Sequence, residues 1–228
     1  IYYNGIILKG EKFTKSPLLI AKKIFDNFIE NGGCFVKSKV TSIVNKDNSI
    51  FLQYEKKEKE FDKIVIAAGV WSNILARKIG DNFPLDTERG YHIEFENSNN
   101  LLTHPIGWAK TGFYMTPMQD CIRAAGTVEI AGLKKPMNND VLSMIEKTAR
   151  CILPQLGKVK SQWMGFRPTL PDSLPVIGNS RKCKNVYYAF GHQHLGLSLA
   201  AVTGKVIRSL IDKNNTNINI SALNPYRF

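Results

Sequence analysis

The residues with the most chemical content lie late in the chain, in Gly165-Phe166-Arg167-Pro168-Thr169-Leu170-Pro171-Asp172-Ser173-Leu174-Pro175-Val176-Ile177-Gly178. An arginine set in a Gly-Phe-Arg-Pro run sits on stiff backbone. From there its planar guanidinium can meet a carboxylate through two parallel hydrogen bonds, as recognition of an amino acid requires. A second segment, Gly191-His192-Gln193-His194-Leu195-Gly196-Leu197-Ser198, places glycines where backbone must approach a planar ligand closely. It then opens a helix whose first amides and dipole suit an electron-rich oxygen. His192 and His194 also form an HxH pair, but no third histidine, cysteine or carboxylate lies close in sequence, so metal binding ranks below contact with an organic ligand and no metal is expected.

Together these segments resemble the C-terminal signature of the D-amino-acid oxidase superfamily, the FAD-dependent group that includes glycine oxidase, D-amino-acid dehydrogenase and hydroxyproline dehydrogenase. Ala67-Ala68-Gly69-Val70-Trp71-Ser72 is similar to its second FAD-contact strand, and Arg89-Gly90-Tyr91 to its passage into the substrate domain. Tyr114-Met115-Thr116-Pro117 and Gly126-Thr127-Val128-Glu129 are similar to its substrate-domain strands. The resemblance implies that Arg167 pairs with the substrate carboxylate, that Tyr114 donates a hydroxyl hydrogen bond to it and that His194 tunes the substrate pocket. Val40 would meet the adenine through its backbone, and Ala68, Gly69 and Trp71 would line the FAD. Gly191, His192, Leu195, Gly196, Leu197 and Ser198 would border the isoalloxazine. The implied reaction is oxidative deamination of a D-amino acid or cyclic imino acid by hydride transfer to flavin N5, with no dedicated catalytic side chain. By residue type alone Tyr114 fits a half-buried sheet aromatic equally well, and Trp71 and Trp163 read as core. None of the 17 glycines is followed by glycines two and five residues on, so the strand-GxGxxG-helix that holds the FAD pyrophosphate in this family is not in the sequence. The expected counterpart is the family's C-terminal portion. The alternatives are a non-catalytic fragment or binding subunit lacking a complete flavin site, or a relative specific for sarcosine, glycine or hydroxyproline.

Positioning these residues requires an α/β fold. The expected architecture is a glutathione-reductase-like Rossmann portion in two pieces, 1–83 and 155–228, with an antiparallel-sheet substrate domain, 84–154, inserted between them. Ser16-Pro17 and the apolar positions Leu18 to Ile29 predict a helix stopped at Gly32-Gly33. Strands are predicted over 34–44 and 49–54, around an Asn45-Lys46-Asp47-Asn48 turn, and a strand buried on both faces over 61–69, followed by a helix over 71–79. Alternation predicts strands at 91–95, 112–118 and 121–129, and a helix over 139–153 carries Val141, Leu142, Ile145, Ala149 and Ile152 on one stripe. A strand at 185–190 leads into a helix ending near 211, and the asparagine-rich tail after Asp212 is expected to be loosely ordered.

The chain has 31 Lys and Arg against 19 Asp and Glu, a net charge of +12. The lysines are scattered, and the run Glu55 to Glu60 alternates in sign, so a solvated surface is the expectation and a nucleic-acid partner is not. The implied partners are a small amino-acid substrate and an electron acceptor, oxygen or quinone; the positive charge would also suit peripheral association with a membrane. Cys34, Cys121, Cys151 and Cys183 form no CxxC pair, and no apolar run approaches a bilayer's width. The expected location is therefore the cytoplasm or the inner face of a membrane.

Overall fold

The structure is a computed structural model that describes residue 6 and residues 8–46, 49–109 and 112–228. Ile1 to Gly5 and two residues of the expected 45–48 turn, Asp47 and Asn48, lie outside the described residues. The chain divides into two compact units, one of residues 1–33, 91–127 and 137–164, the other of 34–90, 128–136 and 165–228. The expected blocks 1–83, 84–154 and 155–228 cut the chain elsewhere. Periodicity locates elements, but it does not tell which of them bury their apolar faces together.

In the first unit, α1 (Pro17–Glu30) begins as predicted, with the Ser16 hydroxyl accepting a hydrogen bond from the Leu19 amide. None of its residues is buried. The core of this unit forms elsewhere, where α3 (Asn139–Ile152) lays Leu142, Ile145, Ala149 and Ile152 against one face of a sheet. That face is supplied by Tyr91, Ile93 and Phe95 of β5 (Asp86–Glu96), Phe113 and Met115 of β7 (Phe113–Pro117), and Ile122 and Ala124 of β8 (Cys121–Glu129). With β6 (Ile106–Trp108) and β9 (Val159–Thr169), the strand order is β6-β7-β8-β5-β9. β5, β8 and β9 each contain residues of both units. The strand over Trp163 to Arg167 was not expected, because its residues do not alternate cleanly and a proline follows Arg167.

In the second unit, β1 (Val40–Lys46), β2 (Ser49–Tyr54) and β3 (Lys57–Phe61) form an antiparallel sheet. β3 is the alternating charge run, with Glu58 bridging Lys46 and Gln53, and charged side chains suit such an edge strand. A second sheet has the order β10 (Val176–Asn179), β11 (Val186–Phe190), β4 (Ile64–Ile66). β11 runs parallel to β4, with Val186 opposite Ile64 and Tyr188 opposite Ile66. β4 is shorter than predicted and buried on one face only, since Ile64 and Ile66 are buried while Val65 is exposed. A 3-10 turn, Gly69–Trp71, then leads into α2 (Ser72–Lys78), and α4 (Gly196–Ile211) follows β11.

This sheet is locked by a buried polar cluster. Tyr188 donates its hydroxyl hydrogen to Asp81 Oδ2 at 2.7 Å, Ser180 donates to the same oxygen, and Ser180 Oγ accepts from the Lys182 and Cys183 amides. Burial and the Asp81 carboxylate push the Tyr188 phenol well above its ordinary pKa. Asp81→Ala strands two buried hydroxyls, and the expected loss is about 2–4 kcal/mol of unfolding free energy, read from urea denaturation. The tail also differs from expectation. Arg227 bridges to Asp172 at 2.5 Å and donates to the Leu174 carbonyl at 2.6 Å, so charge-assisted bonds fix the end of the chain to this unit.

Candidate functional site

Because β4 and β11 run parallel, their carboxyl ends leave the sheet on the same side, and the two segments singled out for close ligand approach begin there. Open α/β sheets present ligands at that edge. Ala68 and Gly69 form the turn after β4; Gly69 has φ +56, which glycine adopts without strain, and a Cβ placed there would meet nothing within 4 Å. Gly191 follows β11 with φ +87, and a side chain there would strike Leu170 at 2.6 Å. Gln193 is also left-handed, at φ +48, a strained conformation of the kind that gathers at ligand clamps.

Two interactions within this unit link the end of β9 to these turns. The Trp71 ring meets Phe166, the neighbour of Arg167, edge-on with centroids 6.1 Å apart. The positive charge of Arg167 acts on His194, in the turn after β11. The 67–72 turn, the 191–198 turn and the end of β9 are thus neighbours. Partial burial draws the Arg167 guanidinium below its usual pKa and Glu88 opposes the shift; at so high a pKa it stays charged. Beneath it lies Gly90: a Cβ at that position would stand 2.1 Å from one guanidinium nitrogen and 2.2 Å from the central carbon. Gly90 is a residue whose role the sequence did not disclose, because nothing in a single sequence says what crosses over a glycine.

The remaining expected residues fall as follows. His194 is exposed, and its pKa is lowered by partial burial and by Arg167. His192 Nε2 lies 3.0 Å from Thr203 Oγ1 of α4, and burial lowers the pKa of its ring, so it ties the turn to the helix. The pair sits at a 3-10 turn, Gln193–Leu195, rather than on a strand, and among the described residues no group of three His, Cys, Asp or Glu could hold a metal ion. Val40 opens β1, in a different sheet, at a register shift. Trp71 and Trp163, read by size as core, are 51% and 54% exposed. Tyr114, in the other unit, is 60% exposed, with its ring over its cross-strand partner Gly107. On β5 of that unit His92 stacks on Trp163 with centroids 5.0 Å apart, and Arg123 pairs with Glu94 at 2.8 Å.

His92 gives this unit a pH dependence. Burial, then the Arg123 charge, brings its pKa down to about 4 from the ordinary 6.5. Between those values the unfolded chain takes up a proton that the folded chain refuses, so stability falls as pH drops from 6.5 to 4 and is unaffected above. The ring is partly open to solvent, and screening leaves about 1–2 kcal/mol of the effect. Melting curves from pH 7 to 4 are expected to flatten in His92→Gln.

The edge formed by the two turns exposes apolar side chains and an uncapped helix start. Leu195 and Leu197 are 57% and 47% exposed, and α4 starts at Gly196 without a side-chain cap. A Cβ on Gly196 would meet only His192 Cβ, at an ordinary 3.7 Å, so the protein's own packing does not require glycine there. On the flavin contact that the sequence resemblance implies for Gly196, Gly196→Ala is expected to leave the melting temperature within a few degrees, while flavin affinity falls about tenfold in a fluorescence titration. Two cavities of the same unit, about 320 and 200 Å³, are lined by other residues, among them Lys78 and Ile79 for the first and Asp81 and Tyr226 for the second. No helix among the described residues is long and apolar enough to cross a membrane.

Comparison with known proteins identifies the family. Residues 2–210 match the family described as DAO, FAD dependent oxidoreductase. The D-amino-acid oxidase of Bradyrhizobium diazoefficiens is 32% identical over 100% of this chain and 55% of its own. Among solved structures, L-proline dehydrogenase from P. horikoshii superposes with a TM-score of 0.81 at 19% identity, covering 92% of this chain and 59% of that one. Glycine oxidase from Geobacillus kaustophilus gives 0.78 at 21% identity, covering 86% and 54%. The chain thus spans a little over half the length of these relatives. It belongs to the DAO family of FAD-dependent oxidoreductases, and that membership implies FAD as its cofactor.

Proposed function

We propose that the chain carries the substrate-facing and isoalloxazine-facing part of an enzyme that oxidises a D-amino acid or a cyclic imino acid. The observation that carries this reading is the meeting, within one unit, of Arg167 with the turns after β4 and β11. In it Arg167 holds the substrate carboxylate, and Gly69, Trp71, Gly191, Leu195 and Gly196 border the flavin. Ala68, His192, Leu197 and Ser198 complete that border, Val40 meets the adenine, and His194 flanks the substrate beside Arg167. Bound FAD supplies the two-electron acceptor: a hydride leaves the substrate α-carbon, a proton leaves its nitrogen, and water hydrolyses the imino product, which for a primary amine gives a 2-oxo acid and ammonia. The protein's share is orientation, through a guanidinium fixed over Gly90, and exclusion of water by Trp71 and the two exposed leucines. Oxygen or a quinone then takes the electrons.

Substrate choice rests on side chains beyond Arg167, because D-amino acids, glycine and proline share the carboxylate it would bind. The test is anaerobic mixing of the flavin-loaded protein with a panel of D-amino acids, glycine, sarcosine, D-proline and D-hydroxyproline. Bleaching of the flavin band by D-amino or imino acids supports the proposal. Bleaching by glycine and sarcosine alone moves the substrate class, and no bleaching by any of them overturns it.

A further inference from the structure

We infer that Glu88 is a specificity-determining residue of this site, accepting an N–H hydrogen bond from the substrate's amino or imino nitrogen while Arg167 holds its carboxylate. The inference rests on the carboxylate role proposed above for Arg167.

Strand geometry supplies the first argument. Glu88 and Gly90 are two residues apart on β5, so their Cα–Cβ directions lie on the same face. The guanidinium of Arg167 lies where a Gly90 Cβ would project, 2.1 Å from one of its nitrogens, so Glu88 rises from the face that Arg167 covers. The intervening Arg89 and preceding Thr87 are turned the other way and buried. Arg89 is spent on that other side: it pairs with Glu129 at 3.2 Å and donates to the Lys135 and Pro136 carbonyls at 2.8 and 2.6 Å, so it does not compete for Glu88.

Charge supplies the second. Glu88 is half-buried, and its negative charge acts on both Arg167 and His194, so the three groups lie within electrostatic reach of one another. An α-amino acid is a zwitterion whose two charges are separated by a single carbon. A cationic fork next to an anionic carboxylate is complementary to it, and is mismatched to a simple carboxylic or 2-hydroxy acid, whose anion Glu88 repels. A neutral His194 beside the pair adds no charge that would upset the match.

The experiment compares D-alanine with propionate, the same molecule without its amine, on flavin-loaded wild-type, Glu88→Gln, Glu88→Asp and Arg167→Leu proteins, reading perturbation or anaerobic bleaching of the flavin band. Expected for Glu88→Gln is a rise of roughly 10- to 100-fold in the half-saturating D-alanine concentration, with propionate bound equally well or more tightly. Glu88→Asp, which keeps the charge but withdraws it by one methylene, falls between. An equal change for both ligands, or no change for either, overturns the inference. Failure of the underlying reading looks different: propionate then binds Arg167→Leu as well as wild type, and the assignment of Glu88 falls with it.

Discussion

Arg167→Leu is expected to lower kcat/KM for every amino-acid substrate by roughly 10²- to 10³-fold, with thermal stability and flavin content unchanged. The change removes the cationic guanidinium beside the turns after β4 and β11 and leaves a shorter, apolar side chain. A carboxylate that leaves water for a partly buried position depends on charge-assisted bonds, and truncating one side of such a pair costs about 3–4 kcal/mol. Arg167→Lys should recover only part of the loss, because an ammonium keeps the charge but not the two parallel donors. Steady-state kinetics on the three proteins checks this, and equal values for leucine and arginine would remove Arg167 from the site.

Gly90→Ala reaches the same guanidinium from below. The backbone of Gly90 is not left-handed, so alanine fits the strand; the clash, at 2.1 to 2.4 Å, is with the far end of a flexible side chain. The side chain must therefore move while the fold stays. A displacement of about 1 Å in a positioning group costs on the order of 10²-fold in rate, and this is the loss expected in kcat/KM, with the melting temperature shifted by only a few degrees. The discriminating readout is the double variant. If Gly90→Ala acts through Arg167, adding it to Arg167→Leu should cost almost nothing further, whereas multiplying losses would show an independent effect on the sheet.

Much of this was legible in the residues themselves. The Ser16-Pro17 helix start, the stripe of α3 and the turn glycines follow from local rules, and the structure repeats them nearly residue for residue. The parts that escaped depend on distance in sequence. β3 hid because charged edge strands carry no apolar alternation, and the burial of β4 was overestimated because Ile64, Val65 and Ile66 look alike until their neighbours are known. Trp71 and Trp163 were read as core from size alone, yet both are about half exposed, one edge-on to Phe166 and the other stacked on His92. The tail beyond Asp212 looked mobile by composition, but its last arginine finds Asp172 and fixes it. At the site the motifs were visible and their convergence was not: a parallel pairing of β4 with β11, more than a hundred residues apart, has no local signal.

The measurement that bears most directly on the central claim, that Arg167 and the two turns form a single site, is a titration of flavin-loaded protein with acetate, read as a shift of the flavin absorption bands. Wild type should show a saturable shift, and Arg167→Leu should show none over the same range while retaining its flavin. An identical shift in both proteins would place the carboxylate site away from Arg167 and contradict the claim.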